Sequence, residues 1–358
     1  MPKKTKEKKP LAENRLLHTV LSIVIGFLVG ALFLAIMGIS VSQAYGKLFQ
    51  SIFSGTKAIS YCIVYAAPYI VAGLSVAFSF KTGVFNIGAE GQFVVGAMAA
   101  CVVGILGASL PAILLVPLCF LAAALAGALW GAIVGFLKTK WGINEVLSMI
   151  MFNWIAFYLS NYIAGLPAIK SDGNAEATKN VQEAAMILLP KGVISKLGLC
   201  NSANWGIFVA ILLSIFCYVV IEKTTLGFSL KAVGSNRDAA EYAGINVNRA
   251  VLTALGISGA MGGIAGAMNL LGMGQRISIF TAQESYGFQG IIAALIGNSN
   301  PLGVFFGGLF YGAIKYGGSR LNLIGAPSEV VNVIMGTVVF FIAISHIFKF
   351  RKHKKEGK

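Results

Sequence analysis

The apolar residues of this chain run on for about 20 at a time, close to what a helix needs to cross a ~30 Å hydrocarbon layer at about 1.5 Å per residue. Such runs lie near 17–37, 58–80, 85–107, 111–137, 145–165, 205–222, 250–271, 301–318 and 327–348, with a shorter one near 285–297. Composition agrees with a membrane solution. Of 358 residues, 57% are hydrophobic and only 11% are charged, against roughly 25% charged in an ordinary soluble domain. The predicted fold is all-α, a polytopic transmembrane helical bundle with 17–348 as a single membrane domain between basic tails at 1–16 and 349–358. A secreted disulfide scaffold, a nucleic-acid reader and a cytosolic enzyme are excluded.

The net charge of +15 concentrates at the ends, in Lys3, Lys4, Lys6, Lys8, Lys9 and Arg15, and in Lys349, Arg351, Lys352, Lys354, Lys355 and Lys358. Basic residues beside apolar spans hold a segment on the cytoplasmic side and touch anionic lipid, so the expected partner is the bilayer and not nucleic acid. Counting 285–297 as a crossing gives about ten spans with both termini cytoplasmic. The segments 1–16, 81–84, 138–144, 223–249, 298–300 and 349–358 then lie inside and carry most of the 28 Lys and Arg. A re-entrant 285–297 would instead turn the basic C-terminus outward, against the positive-inside rule. Ser42-Gln43-Ala44 resembles a signal-peptidase site, but the apolar core before it exceeds the 7–15 residues of a signal peptide, so it is expected to remain as the first helix. The five cysteines and three histidines form no pattern that implies a disulfide or a metal.

Small residues recur at four-residue spacing. Ala123, Gly127, Gly131 and Gly135 form one row, and Gly259 with Gly263, Gly262 with Gly266, and Gly303 with Gly307 repeat it. In lipid these rows let helix backbones approach closely and predict a tightly packed bundle.

Polar groups inside apolar spans are costly and ask for a reason. The densest cluster runs from Lys81 to Gln92 and includes Asn86, Glu90 and Gln92 among three glycines. It reads either as the polar lining of a transport path or as a hydrogen-bonded brace between helices. A looser cluster, Tyr286-Gly287-Phe288-Gln289-Gly290 followed by Gly297-Asn298-Ser299-Asn300-Pro301, repeats the combination of aromatic, amide and glycine beside a broken helix. Two such segments hint at the paired discontinuous helices from which transporters build a central path, with Asn86, Glu90, Gln92, Phe288, Gln289 and Asn298 as its candidate lining. The connection 166–204 is polar, nearly charge-balanced and long enough to form a small extracellular cap.

The stretch 223–249 is the most informative. Asn236 or Ser235 can cap a short helix, Asp238 suits its first turn and Gly244 can end it. Ala239, Ala240 and Ala243, beside Tyr242 and Ile245, give it the apolar content of a helix that docks in a groove of a soluble partner.

Here the chain resembles a known family. Asp238-Ala239-Ala240-x-x-x-Gly244 is similar to the EAA-x-x-x-G loop of ATP-binding cassette importer permeases, with Asp in place of the usual Glu. Leu226-Gly227 through Ala232-Val233-Gly234, then Asn236 and Ala239 to Ile245, resembles the version in sugar, branched-chain amino-acid and nucleoside importers. Thr82 through Gln92 resembles the nucleoside branch. The resemblance implies a permease subunit for nucleoside uptake in the cell membrane, with Asp238, Ala239, Ala240, Gly244 and Ile245 coupling it to a cytoplasmic ATPase. It also implies a second, unlike permease chain and an extracellular substrate-binding lipoprotein. No G-x-x-x-x-G-K-[ST] occurs, so no cofactor is expected on this chain and ATP belongs to the partner. The alternatives are a permease for a monosaccharide such as ribose and, from another class, an ion-coupled secondary transporter titrating at Glu90.

The ten-crossing topology has a direct check. A membrane-impermeant thiol reagent should modify a cysteine placed at Asn174 in intact cells, and should spare one at Ser235 or Lys354. Labelling at Lys354 would make 285–297 re-entrant.

Overall fold

The computed structural model describes residues 15–173 and 176–356. Most of the N-terminal tail, the end of the C-terminal one and Asn174 lie outside them. Among the described residues fourteen α-helices follow in order: α1 (Arg15–Ile36), α2 (Val41–Phe53), α3 (Thr56–Phe80), α4 (Ala89–Leu106), α5 (Ala112–Trp141), α6 (Glu145–Ala164), α7 (Lys191–Leu197), α8 (Gly206–Lys223), α9 (Thr225–Ser235), α10 (Arg237–Tyr242), α11 (Val247–Asn269), α12 (Tyr286–Ile296), α13 (Pro301–Ser319) and α14 (Val330–Glu356). Among the described residues, extended pairing is confined to isolated bridges. The chain is a polytopic helical membrane protein: α1, α3, α4, α5, α6, α8 and α11 with its extension to Gly274 are long and apolar enough to cross a bilayer. They carry seven of the expected spans, while α2 has no counterpart in the sequence reading.

The helices form two compact units. In one, α1 packs on α14, with Gly26 against Val338 and Gly30 against Ile334. The Tyr45 hydroxyl donates to the Phe27 carbonyl at 2.5 Å. The other, 50–317, contains the polar clusters and is built on backbone contact. A Cβ at Gly127 would strike the Gly259 carbonyl, one at Gly131 the Leu255 carbonyl, and one at Gly263 the Ala123 carbonyl. Of the predicted rows of small residues, Ala123 to Gly135 and Gly259 with Gly263 are therefore the seam between α5 and α11, while Gly303 and Gly307 pack on the end of α12. Gly266 and Gly96 bring α11 equally close to α4. The opposite face of α5, with Ile113, Leu114, Leu121, Leu125 and Leu129, is exposed, as a lipid-facing surface should be.

Two connections break the regular pattern. The helix expected over 85–107 starts only at Ala89, because 81–88 turns back from the end of α3 and returns into the bundle. The short crossing near 285–297 is an 11-residue helix, which reaches only ~16 Å, about half of a hydrocarbon layer. The chain that precedes it, 275–285, is not helical. Chain 275–285 begins against the 166–204 segment, where Thr178 N–H donates to the Ile277 carbonyl (2.8 Å) and Ile279 N–H to the Glu176 carbonyl (2.7 Å). It ends beside the middle of α3, where Tyr286 stacks on Tyr69 with ring centroids 5.2 Å apart. From there α12 continues along α3, and α13 returns with Gly308 against Ile70 and Gly312 against Ala66.

The described part of the 166–204 segment is anchored by buried side chains. Ile169, Val181, Ala185 and Ile187 are buried, and Gln182 N–H donates to the Gly104 carbonyl at the end of α4 (3.0 Å).

The glycine seam predicts opposite effects at two positions one turn apart in α11. Gly259→Ala forces a methyl group onto the Gly127 carbonyl and should lower thermal stability in detergent by about 1–3 kcal/mol. Gly256 has open space where its Cβ would lie, so Gly256→Ala should leave stability unchanged or raise it by up to ~1 kcal/mol. Equal losses at both sites would show that the seam is not what holds α5 to α11.

Candidate functional site

The two polar clusters, far apart in sequence, meet in space. Glu90, in the first turn of α4 and 1% exposed, accepts hydrogen bonds from the backbone N–H of Ser285 (2.7 Å) and of Gly287 (2.7 Å). These are N–H groups at the start of α12, which no helical carbonyl can satisfy. A carboxylate there acts as both cap and counter-charge to the helix dipole. Gly287 is required for the approach, since a Cβ would land on the backbone of Ala89 and Glu90.

Asn86 does not share a helical face with Glu90, because it precedes the start of α4. Its Nδ2 donates instead to Gln92 Oε1 (2.8 Å) and Ser258 Oγ (2.6 Å). Ser258 Oγ donates to the Ser75 carbonyl (2.7 Å). Asn86, Gln92, Ser75 and Ser258 are all essentially buried, so the group ties the 81–88 turn and α4 to α3 and α11. Asn153 of α6 completes it: its Oδ1 accepts from Gly91 N–H (2.8 Å) and its Nδ2 donates to the Ile87 carbonyl (3.1 Å). Sequence reading missed Ser75, Asn153 and Ser258. The signal was available, as hydroxyls and an amide in mid-span, but single polar residues in helices often bond their own preceding turn.

The remaining path candidates are placed differently. Phe288 and Gln289 are half-buried on the first turn of α12. Asn298 is exposed on the turn between α12 and α13, at φ 53°, and is not brought to the Asn86–Gln92 group.

The second candidate surface is the segment between α8 and α11. Thr224 accepts from Gly227 N–H (3.2 Å), Asn236 from Ala239 N–H (3.0 Å) and Asn246 from Arg249 N–H (2.9 Å), so α9, α10 and α11 are each capped by the residue before them. Gly244 takes φ 83°, a left-handed conformation that ends the turn. The expected single helix of about two turns is thus α10 alone, separated from α9 by Asn236. Asp238, Ala239, Glu241, Ala243 and Gly244 are exposed, and Tyr242 is 97% exposed. Ala240, by contrast, is 4% exposed and Ile245 is half-buried; both pack on the bundle core. The surface offered outward is therefore Asp238, Ala239 and Tyr242, while Ala240 and Ile245 seat the helix.

Helices that begin inside the bundle, with their ends satisfied by side chains, are how transport proteins admit irregular backbone at membrane depth. The chain is a multi-pass helical membrane protein with discontinuous helices of this kind. Residues 58–343 match the family described as the branched-chain amino acid transport system / permease component, and the chain belongs to that family. It is 37% identical to the guanosine ABC transporter permease protein NupP of Bacillus subtilis, over 96% of this chain and 98% of that one. It is 31% identical to the nucleoside ABC transporter permease protein NupB of Lactococcus lactis, over 94% and 93%. With the glucose ABC transporter permease protein TsgB13 of Haloferax volcanii it shares 34% identity over 92% and 87%. It is accordingly a permease of an ATP-binding cassette transporter of the cell membrane.

The cap on α12 yields a graded expectation. Glu90→Ala strips acceptors from two buried N–H groups and should cost about 1–3 kcal/mol for each. Glu90→Gln retains one acceptor and should lose about half as much. Hydrogen exchange at the Ser285 and Gly287 amides is the measurement; protection unchanged in Glu90→Ala would remove Glu90 from this role.

Proposed function

We propose that this chain is one of two permease subunits of an ATP-driven importer for nucleosides. It would work with a cytoplasmic ATP-binding cassette ATPase, which binds the ATP, and with an extracellular substrate-binding lipoprotein. The observation that carries the cargo assignment is likeness along nearly the full length to the guanosine and nucleoside permeases, in keeping with the resemblance of Thr82 through Gln92 to the nucleoside branch. The ATPase is received at α10, where Tyr242, Asp238 and Ala239 stand out from the surface, and its movement is passed to the bundle through Ala240, Gly244 and Ile245. Both termini, α9 and α10 face the cytoplasm, and the 166–204 cap faces outward.

The buried polar group supports bracing over path lining for Asn86, Glu90 and Gln92. Every one of the three is engaged by fixed protein partners. A carboxylate held by two N–H donors is a poor proton relay, which disfavours the ion-coupled reading. A monosaccharide remains the second reading, favoured by the likeness to the haloarchaeal glucose permease.

The test is uptake by the complete importer reconstituted in proteoliposomes. Radiolabelled guanosine should enter only with ATP and irrespective of a proton ionophore, and glucose should not enter. Uptake that persists without ATP and collapses with the ionophore would replace the importer by a secondary transporter. In the same system Tyr242→Ala should weaken ATPase docking by about 2 kcal/mol, the size usual for an aromatic anchor, without loss of membrane insertion. Ala240→Arg is a test of folding instead, because Ala240 faces the bundle.

A further inference from the structure

Above the start of α12 lies a cavity of about 310 Å³, bounded by α3, α4, the wide turn that ends α11 and the non-helical chain 275–285. Its volume falls at the small end of ligand sites, about 300–1,000 Å³. Its lining is both aromatic and charged. Tyr65, Phe280 and Tyr286 contribute aromatic surface, and Asn269, Arg276 and Glu284 contribute an amide and two opposite charges. A cavity of similar size between α4, α5 and α6, lined by residues such as Met98, Val102 and Leu159, has the Ser160 hydroxyl as its single polar side chain. Of these two cavities, the one beside α12 has the mixed lining.

The backbone around it is held away from its resting geometry. Leu270–Gly274 forms a π turn, a form concentrated at functional sites. Gln275 at φ 60° and Ser285 at φ 67° close the two ends of the 275–285 chain in the left-handed region. Non-glycine residues there cost energy and persist only when their surroundings hold them. Here Gln275 N–H donates to Leu270 O (2.8 Å), its carbonyl accepts from Val181 N–H (2.8 Å), and Ser285 is held by Glu90. The result keeps Arg276 and Glu284, at opposite ends of one short chain, on the wall of the same cavity.

The stacking surface can be assigned. Tyr286 stacks on Tyr69 (5.2 Å between centroids) and on Phe93 (4.8 Å, nearly parallel), which fixes its ring in the wall of the cavity. Phe280, stacked on Phe157 (6.2 Å), and Tyr65, edge-on to Tyr316 (5.8 Å), line the cavity beside it and supply the rest of its aromatic wall. We propose that this cavity is a transient binding site for the nucleoside within the permease itself, between binding protein and cytoplasm. The base lies against Phe280 and Tyr65, Arg276 donates to ring acceptors of the kind purines present, and Glu284 with Asn269 takes the ribose hydroxyls. A carboxylate on ribose hydroxyls is a pairing that dinucleotide sites also use. One molecule that joins a flat heteroaromatic ring to a hydroxylated ring satisfies all of these groups, whereas a hexose offers no planar ring for Phe280 and Tyr65. The assignment rests on the nucleoside reading above.

The experiment uses the full chain in lipid nanodiscs without partners, probed with guanosine and separately with glucose by saturation-transfer NMR. Transfer to the guanosine ring protons is expected, with none to glucose. Glu284→Gln and Phe280→Ala should each weaken guanosine binding about tenfold, and Lys196→Gln on α7 should leave it unchanged. Arg276 and Glu284 are exposed, so Arg276→Gln and Glu284→Gln decide the matter even where Phe280→Ala misfolds. Guanosine transfer that is absent, or equal in wild type and variants, while the complete importer still takes up guanosine, would overturn the site and leave the nucleoside reading intact. Uptake of glucose and not guanosine by the complete importer would overturn both.

Discussion

Inside hydrocarbon a peptide N–H has no water to turn to, and a helix that starts there exposes several of them. The arrangement of this bundle follows from how that demand is met. α12 begins beside the middle of α3, and its first N–H groups are met by one carboxylate, Glu90. Glu90 can be there only because α4 also begins inside the bundle, after a turn that Asn86, Asn153 and Ser258 hold in place. Each break makes the other tolerable. Removing an acceptor from such a pair costs far more than adding one gains, so the arrangement is all-or-none in character.

Around this centre the helices are held by contact between backbones. Where Gly127 meets Gly259 and Gly263 meets Ala123, two helix axes come as close as main chains allow. In lipid there is no aqueous penalty to drive such pairing, and dispersion between closely fitted surfaces has to supply it. The seam runs through α4, α5 and α11, the same helices that carry Gln92 and Ser258. Close packing there shortens the distance over which polar side chains must reach, which is how a small serine hydroxyl can serve a neighbouring helix.

Much of the fold was legible because membrane burial writes long, simple signals. The apolar runs located seven spanning helices, and the four-residue glycine rows located their closest contact. Asn236 and Gly244 marked α10 through local chemistry that needs no tertiary knowledge. What could not be read was direction and partnership. That Ala240 turns inward while Ala239 and Tyr242 turn outward depends on how α10 lies on the bundle, which a six-residue helix does not encode. The clusters at Asn86–Gln92 and Tyr286–Gly290 could be recognised as unusual, but their union through Glu90 joins residues nearly two hundred positions apart. The cavity beside them was invisible for the same reason, since it draws on α3, α4, α11 and a stretch of chain with no periodicity.

The run from α8 to α11 has a mechanical consequence. Between α8 and α9 stands Thr224 alone, between α9 and α10 Asn236 alone, and only Ala243 to Asn246 separates α10 from α11. Each junction is pinned by its own cap, and Gly234 is wedged against the Lys81 carbonyl. Such a segment has almost no slack. A displacement applied at α10 cannot be taken up by uncoiling a linker, so it is delivered as tension or thrust to the ends of α8 and α11. Because α11 is fused along its glycine seam to α4 and α5, that thrust reaches three helices as one load.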